Sequence, residues 1–360
     1  MDTISSLSSG TTNTLKSVLK LSVVIVSYSW FVDKVALTEI KTSWLVWVLS
    51  FIAIDFASYW SHRLNHSINI FWNQHIVHHS SEEFNLACAL RQPISNILFM
   101  QFWYHTVHIR KLGWLEYIIV TPSQHRVHHA INDIYIDKNL AAILSIWDRI
   151  FGTFQEELDN EPCVYGVKKP VATWNPIKIN WMHAWQIAKD SWRTRNWIDK
   201  FRVWFMPTGW RPEDVTIKYP VHYNKNPFEQ LKYRPKSTSS LQYWSWFQYI
   251  FSTLLMIHML TQIDKIGFPY LFVYGGFLFL LVYSYSSLMD HEKEAVWIEF
   301  GKSFIGLSII LSTGSWFYLE EFLPGGNIMM TLYFVISPIV VWYLFKQTVP
   351  VKMGELSTNR

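Results

Sequence analysis

The sequence predicts an all-α integral membrane protein, a helical bundle with a cytosol-facing, histidine-rich metal site. Three observations predict it. Half of the 360 residues are apolar, six long stretches nearly lack charge, and eight of the 14 histidines fall in three short clusters at helical spacing. No alternating strand pattern appears, and backbone groups in lipid must satisfy one another, so helices are the expected spanning elements.

The candidate spans are residues 16–32, 43–60, 242–260, 266–288, 303–318 and 328–345. Each is near the roughly 20 apolar residues that cross a hydrocarbon core. The leading MDTISSLSSGTTNTLK is polar, with no basic residue before Lys16 and no clear cleavage site after the apolar run. The first run is therefore expected to stay as an anchor. Four regions follow: 1–40, an N-terminal tail and first membrane segment; 41–155, a histidine-bearing di-metal catalytic region; 156–240, a basic cytosolic segment; and 241–360, a C-terminal transmembrane bundle. Breakers recur in the third region, at Glu161-Pro162, Lys169-Pro170, Asn175-Pro176, Arg211-Pro212 and Asn226-Pro227. They predict short helices and loops lying against the membrane.

Net charge is +4, and cations concentrate between the histidines and the later spans: Lys168, Lys169, Lys178, Lys189, Arg193, Arg195, Lys200, Arg202 and Arg211. Positive-inside logic puts this stretch in the cytosol. Attraction to a membrane surface explains the charge, and no nucleic-acid-binding module accompanies it, so nucleic acid is excluded as a partner. Cys88 and Cys163 stand far apart and form no CxxC pair. Neither a disulfide framework nor a thiolate zinc site is indicated, which fits a reducing compartment.

The chemistry lies in HRLNH (His62, His66), HIVHH (His75, His78, His79) and HRVHH (His125, His128, His129). Residues three or four apart share a helix face, so each cluster can aim its rings at a common point, and imidazole is a good ligand for iron, zinc and copper. A lone histidine is ordinarily a satisfied core residue; eight gathered at this spacing are metal ligands. One mononuclear site uses three or four, so eight without an HExxH motif predict two metals sharing the set. Iron suits oxygen chemistry, and zinc suits the same neutral shell. Asp55, Tyr59, His62 and His66 form one stripe running out of the second span. Asp55, an ionisable group in an apolar stretch, is expected to orient a ligand histidine.

HRLNH, HIVHHSSEEFNLACALRQ, QFWYHTVHIRKLGWLE, TPSQHRVHH and DKNLAAILSIWDRIFGTF together resemble the fatty acid hydroxylase and sterol desaturase superfamily, most closely its alkylglycerol monooxygenase branch. The resemblance covers about residues 40–215. It implies a membrane di-iron oxygenase of the endoplasmic reticulum in a eukaryote. The implied reaction hydroxylates the ether-linked alkyl carbon of an alkylglycerol with tetrahydrobiopterin as donor, releasing fatty aldehyde and glycerol. It makes His105 a ninth ligand candidate, with His108 and His183 weaker ones; His222, His258 and His291 are left structural. Glu82, Asn85, Arg91 and Gln92, and Asp137, Lys138, Asn139 and Asp148, fall in matching blocks whose members orient histidines, hold cofactor or pair at a helix surface.

Two departures stand out. Relatives often carry glutamate where this chain has Ser67. They also place a long apolar hairpin between the second and third clusters, where this chain has only ALRQPISNILFMQFWY. Two full crossings need roughly 40 apolar residues. Clusters that share metals must lie on one side of the bilayer, so no complete crossing is expected, with Ile94 to Tyr104 dipping in or lying flat after a bend at Pro93. Two other readings compete: a sterol or fatty-acyl hydroxylase or desaturase fed by a redox protein, and an inactive metal-binding relative whose core has been shortened.

Overall fold

The computed structural model describes residues 1–19, 33–38, 40–92 and 102–347. Among these the chain is helical, with three isolated β-bridges and no strand longer than a bridge. The helices that matter here are α1 (Asp2–Val18), α2 (Trp44–Ser67), α3 (Asn69–His79), α4 (Pro122–His129), α5 (Ile146–Ile150), α6 (Pro176–Arg193), α7 (Trp197–Phe205) and α8 (Glu213–Lys218). The carboxy-terminal bundle follows: α9 (Ser239–Thr261), α10 (Ile263–Ile266), α11 (Tyr270–Met289), α12 (Glu294–Thr313), α13 (Leu319–Phe322) and α14 (Gly326–Gln347).

Four helices, α2, α11, α12 and α14, are long and apolar enough to cross a membrane. Ser43 caps α2, its hydroxyl accepting from the Val46 amide at 3.3 Å, and Trp44, Trp47, Leu49 and Ile54 remain exposed along it. The expected span at 242–260 forms α9, but Gln242, Ser245, Gln248 and Ser252 leave it more polar than those four. The span expected at 303–318 lies instead at 294–313: it starts earlier and stops at Gly314, whose φ of 75° closes a left-handed cap. The extra charges are tolerated because Glu299 and Lys302 pair at 2.6 Å inside the bundle. Ser284 donates to that carboxylate at 2.6 Å and Tyr333 accepts from the lysine at 2.6 Å. Gly306 faces the Phe334 ring so closely that a Cβ would overlap it, which brings α12 and α14 together.

The polar amino-terminal stretch is a helix, α1, rather than a loose tail. Its Ser5, Ser6, Ser8, Ser9 and Thr12 are buried, and it packs on α6, α9, α11 and the 3-10 turn Leu86–Leu90. Small hydroxyl side chains allow this approach, and several return their protons to their own helix, as Ser8 does to the Ile4 carbonyl at 2.6 Å. Most of the run expected at 16–32 lies outside the described residues, as do Pro93 and Ile94 to Gln101. Phe102–Tyr104 is a 3-10 turn. It delivers His105 to within 3.2 Å of His78, and the second and third clusters meet where the His79 and His129 rings stack.

Candidate metal centre

Three helices and one loop bring nine imidazoles together. They form two groups: His62, His66, His75, His79 and His128, and His78, His105, His125 and His129. Within each group one nitrogen per ring lies within 4.8 Å of all the others, a spacing that could hold a metal ion. The groups adjoin, with the His79 and His129 rings stacked at 4.4 Å.

The sequence reading let each cluster aim at one point, whereas the structure divides two of them. The first and last histidines of HIVHH on α3, His75 and His79, serve the first group and His78 the second. HRVHH on α4 does the reverse, giving His125 and His129 to the second group and His128 to the first. At about 100° per residue, positions i and i+4 differ by about 40° and i+3 falls on the opposite flank of i, so this motif faces two centres at once.

Backbone and carboxylate partners on the outer side fix the ring orientations. His62 Nδ1 lies 2.7 Å from the Leu140 carbonyl, His128 Nδ1 3.1 Å from that of Lys138, and His78 Nδ1 3.3 Å from that of Arg91. His66 Nδ1 donates to the Asp137 carboxylate at 3.0 Å. Because a carbonyl or carboxylate only accepts, each of these Nδ1 atoms carries the hydrogen and leaves Nε2 bare.

The inner nitrogens then face one another. Nε2–Nε2 separations run from 2.9 to 3.2 Å: His62 to His75, His75 to His79, His78 to His105, His105 to His125 and His125 to His129. One ring hydrogen cannot serve two neighbours, and Nε2 of His66 and His128 are buried with no partner among the described residues. Burial, reinforced by the neighbouring imidazoles, holds His75, His78, His79, His125, His128 and His129 well below the usual histidine range. Uncharged lone pairs packed against one another are stabilised by a cation between them, so the donor set fits a metal.

The loop after α4 carries much of this order. Asp137 and Asn139 take positive φ values of 56° and 52°, held by Asn139 bonds to the Gln124 and Gln155 carbonyls at 3.1 and 2.8 Å. Asp148 accepts from the Leu140 and Ala141 amides at 2.7 and 3.0 Å; burial raises its carboxyl. Asp55 was expected to orient a histidine directly. It instead accepts from the Ile143 and Leu144 amides, both at 3.0 Å, and from the Trp147 indole at 2.9 Å, so it acts on the loop that presents Leu140.

The remaining candidates separate cleanly. Glu82 accepts from the Tyr233 amide at 2.6 Å, Asn85 caps the 3-10 turn and Gln92 bonds the Ala89 carbonyl, so these three brace the scaffold. Ser67 donates to the Arg63 carbonyl and meets neither group. His108 is exposed, and so is His222. His183 lies outside both groups, its Nε2 3.0 Å from the Asn69 carbonyl, and burial lowers its pKa to about 4. His258 bonds Tyr274 and His291 the Lys236 carbonyl, consistent with structural roles. Sequence reasoning missed the carbonyls of Leu140 and Lys138, which no side-chain pattern encodes. It also missed Trp72, whose ring stands 5.2 Å from His66 and 5.5 Å from His79.

A cavity of about 250 Å³ opens against the first group. His66, His79, His128 and His129 border it, and Trp72, Ile76, His183, Ile187, Val203 and Trp210 build much of its wall.

A fatty acid hydroxylase family profile matches residues 47–102 and 94–153, the segment that carries all nine of these histidines. The chain is 33% identical to human alkylglycerol monooxygenase over 328 residues, 83% of this chain and 73% of that protein. It is 33% identical to the alkylglycerol monooxygenase of Xenopus tropicalis over 327 residues, 83% of this chain and 72% of that one. The chain belongs to the alkylglycerol monooxygenase family. The zebrafish (Danio rerio) member is 29% identical over 373 residues, 94% of this chain and 80% of that protein. No solved structure matches. Its four long apolar helices make this an integral membrane protein, within a family of lipid monooxygenases.

Proposed function

We propose that this chain is a membrane di-iron monooxygenase that hydroxylates the ether-linked alkyl carbon of alkylglycerols, with tetrahydrobiopterin as electron donor. The observation that carries the reading is the pair of adjacent, all-imidazole groups with inward Nε2 atoms 2.9–3.2 Å apart. Metal–nitrogen bonds of about 2.1 Å put neighbouring ligands about 3.0 Å apart at right angles and about 3.4 Å apart in a tetrahedron. The closest pairs lie near these values, a spacing that suits imidazoles gathered round a shared ion.

Iron held by these nine histidines would supply oxygen activation, with electrons drawn from the pterin. Leu140, Lys138, Arg91 and Asp137 fix the imidazoles so that little reorganisation accompanies binding. The cavity beside the first group gives room for an organic partner next to the nitrogens, its wall combining Trp72, Ile76, Ile187 and Val203 with the charged Lys168, Lys169, Asp190 and Arg211. In the overall reaction one oxygen atom of O2 becomes a hydroxyl on the ether-bearing carbon. The other leaves as water with two protons and two electrons from the donor. The hemiacetal then breaks its carbon–oxygen bond, passing its hydroxyl proton to the departing glycerol oxygen and leaving a fatty aldehyde. The same reading places the site on the cytosolic face, because the basic stretch from Lys168 to Arg211 adjoins it, and the family resemblance implies the endoplasmic reticulum in a eukaryotic cell.

The test is aldehyde release from an alkylglycerol by the iron-loaded, purified protein with tetrahydrobiopterin. Product that requires both iron and pterin is expected. Oxidation of a sterol or fatty-acyl lipid with a redox-protein donor, and none of the alkylglycerol, would overturn the assignment.

A further inference from the structure

The outer faces of α6 and α7 have no protein partner among the described residues. Trp181, Trp185 and Trp192 on α6 and Trp197, Ile198, Phe201 and Phe205 on α7 are 63–86% exposed. At about 100° per residue, the three α6 tryptophans fall within about 40° of one another and the four α7 side chains within about 100°. Each helix therefore presents a single apolar stripe, not scattered exposed residues. A stripe this rich in tryptophan and phenylalanine is the composition that settles at a lipid–water boundary.

Two further observations say what covers it. First, α7 ends level with the point where α2 leaves its apolar stretch: the Asn69 amide donates to the Met206 carbonyl at 3.0 Å and the Thr208 amide to the Ser67 carbonyl at 3.2 Å. The stripe thus continues the lipid-facing surface of α2, where Trp60 and Leu64 are also exposed. Second, charge fits an anionic leaflet. From Lys189 to Arg202 five cations, Lys189, Arg193, Arg195, Lys200 and Arg202, face two carboxylates, Asp190 and Asp199. Arg202 lies over the Trp210 ring at 5.4 Å with its guanidinium half exposed, while Lys200, 5.5 Å over the Trp197 ring, turns its ammonium onto the Ser191, Trp192 and Thr194 carbonyls where α6 ends.

We propose that α6 and α7 are sunk by this aromatic face into the interface of an anionic bilayer leaflet, and so form a lipid-bathed wall of the cavity beside the first histidine group. The opposite faces of the same helices carry His183, Ile187 and Val203, which line that cavity. A single helix thickness then separates bilayer lipid from the space next to the imidazoles. The inference concerns only where the bilayer lies, so it stands apart from the oxygenase reading.

The test is nitroxide accessibility in the full chain, in nanodiscs of phosphatidylcholine and phosphatidylserine, on a Cys163→Ser background that keeps the buried Cys88. A label at Phe201→Cys is expected to collide several-fold more often with oxygen, which concentrates in lipid, than with a water-soluble nickel chelate. A label at Trp192→Cys should behave alike and covers the case in which the first variant misfolds. A label at Lys225→Cys, exposed and outside the stripe, should show the reverse. Nickel access at 201 and 192 equal to that at 225 would overturn the proposal. So would a label immobilised only as protein concentration rises, the mark of a second copy covering the face.

Discussion

Removing the Asp2 charge tests how far the arrangement of the second histidine group depends on the polar amino-terminal helix. Asp2 lies 3.1 Å from the buried Arg91 guanidinium, which also donates to Ser5 at 2.9 Å and Ser80 at 3.2 Å. Ser81 donates to Asp2 at 2.9 Å. Arg91 in turn turns its own carbonyl to His78 Nδ1 at 3.3 Å. Asp2→Asn keeps the shape and leaves a buried cation without its counter-charge. Breaking a buried pair costs about 3–5 kcal/mol, and the two remaining hydroxyls argue for the lower end. Disturbing an outer partner of a ligand histidine typically costs about 10–100-fold in metal affinity. The partners of the first group, Asp137, Lys138 and Leu140, make no hydrogen bond to Arg91. Ferrous-ion titration of the folded variant should therefore show one site weakened by that factor and the other unchanged, with Asp2→Glu restoring much of the loss. Equal weakening of both sites, or of neither, in protein that elutes as the parent does would refute the reasoning.

Other expectations follow from the same contacts. His128→Ala removes a buried inward nitrogen and should lose the ion of the first group and more than about 100-fold in turnover; retained iron stoichiometry would contradict it. Asp137→Asn keeps an acceptor on His66 but removes its charge, and should weaken that same ion about 10–100-fold with no change in helix content by circular dichroism. The metal-free protein should lose stability as pH falls from 7 towards 5. The cluster imidazoles are held well below their ordinary 6.5, so the unfolded chain binds more protons throughout that window and acid pulls the equilibrium towards it. Each such histidine contributes up to about 1.4 kcal/mol per pH unit, and thermal melts of apoprotein that stay flat from pH 7 to 5 would count against burial of neutral rings. Gly306→Ala should destabilise the bundle by about 1–3 kcal/mol through overlap with Phe334, read as a lower melting temperature with iron binding intact.

The gathering of the histidines was legible because helical spacing is a strong constraint: at i, i+3 and i+4 the eight share helix faces, and the structure brings all of them together. His105 needed the family resemblance, since a single imidazole in YHTVH carries no periodicity of its own. The split of His78 and His128 away from their neighbours follows from helix geometry but shows only when both centres are placed. Leu140 and Lys138 act through backbone carbonyls, which every residue has, so no sequence pattern marks them. The buried helix α1 was hidden because serine and threonine give no apolar stripe; its contacts come from small size and from the Asp2–Arg91 pair across 89 positions of chain. The early start of α12 was hidden because Glu299 and Lys302 read as disqualifying charges until each finds the other.

The central claim is that the nine imidazoles converge on a pair of ions. Iron quantitation combined with X-ray absorption on the purified protein tests it most directly. Two ions per chain, each in an imidazole-rich shell with nitrogen at about 2.1 Å and no sulfur, is the expected result. A single ion per chain, or a sulfur ligand from Cys88 or Cys163, would contradict it.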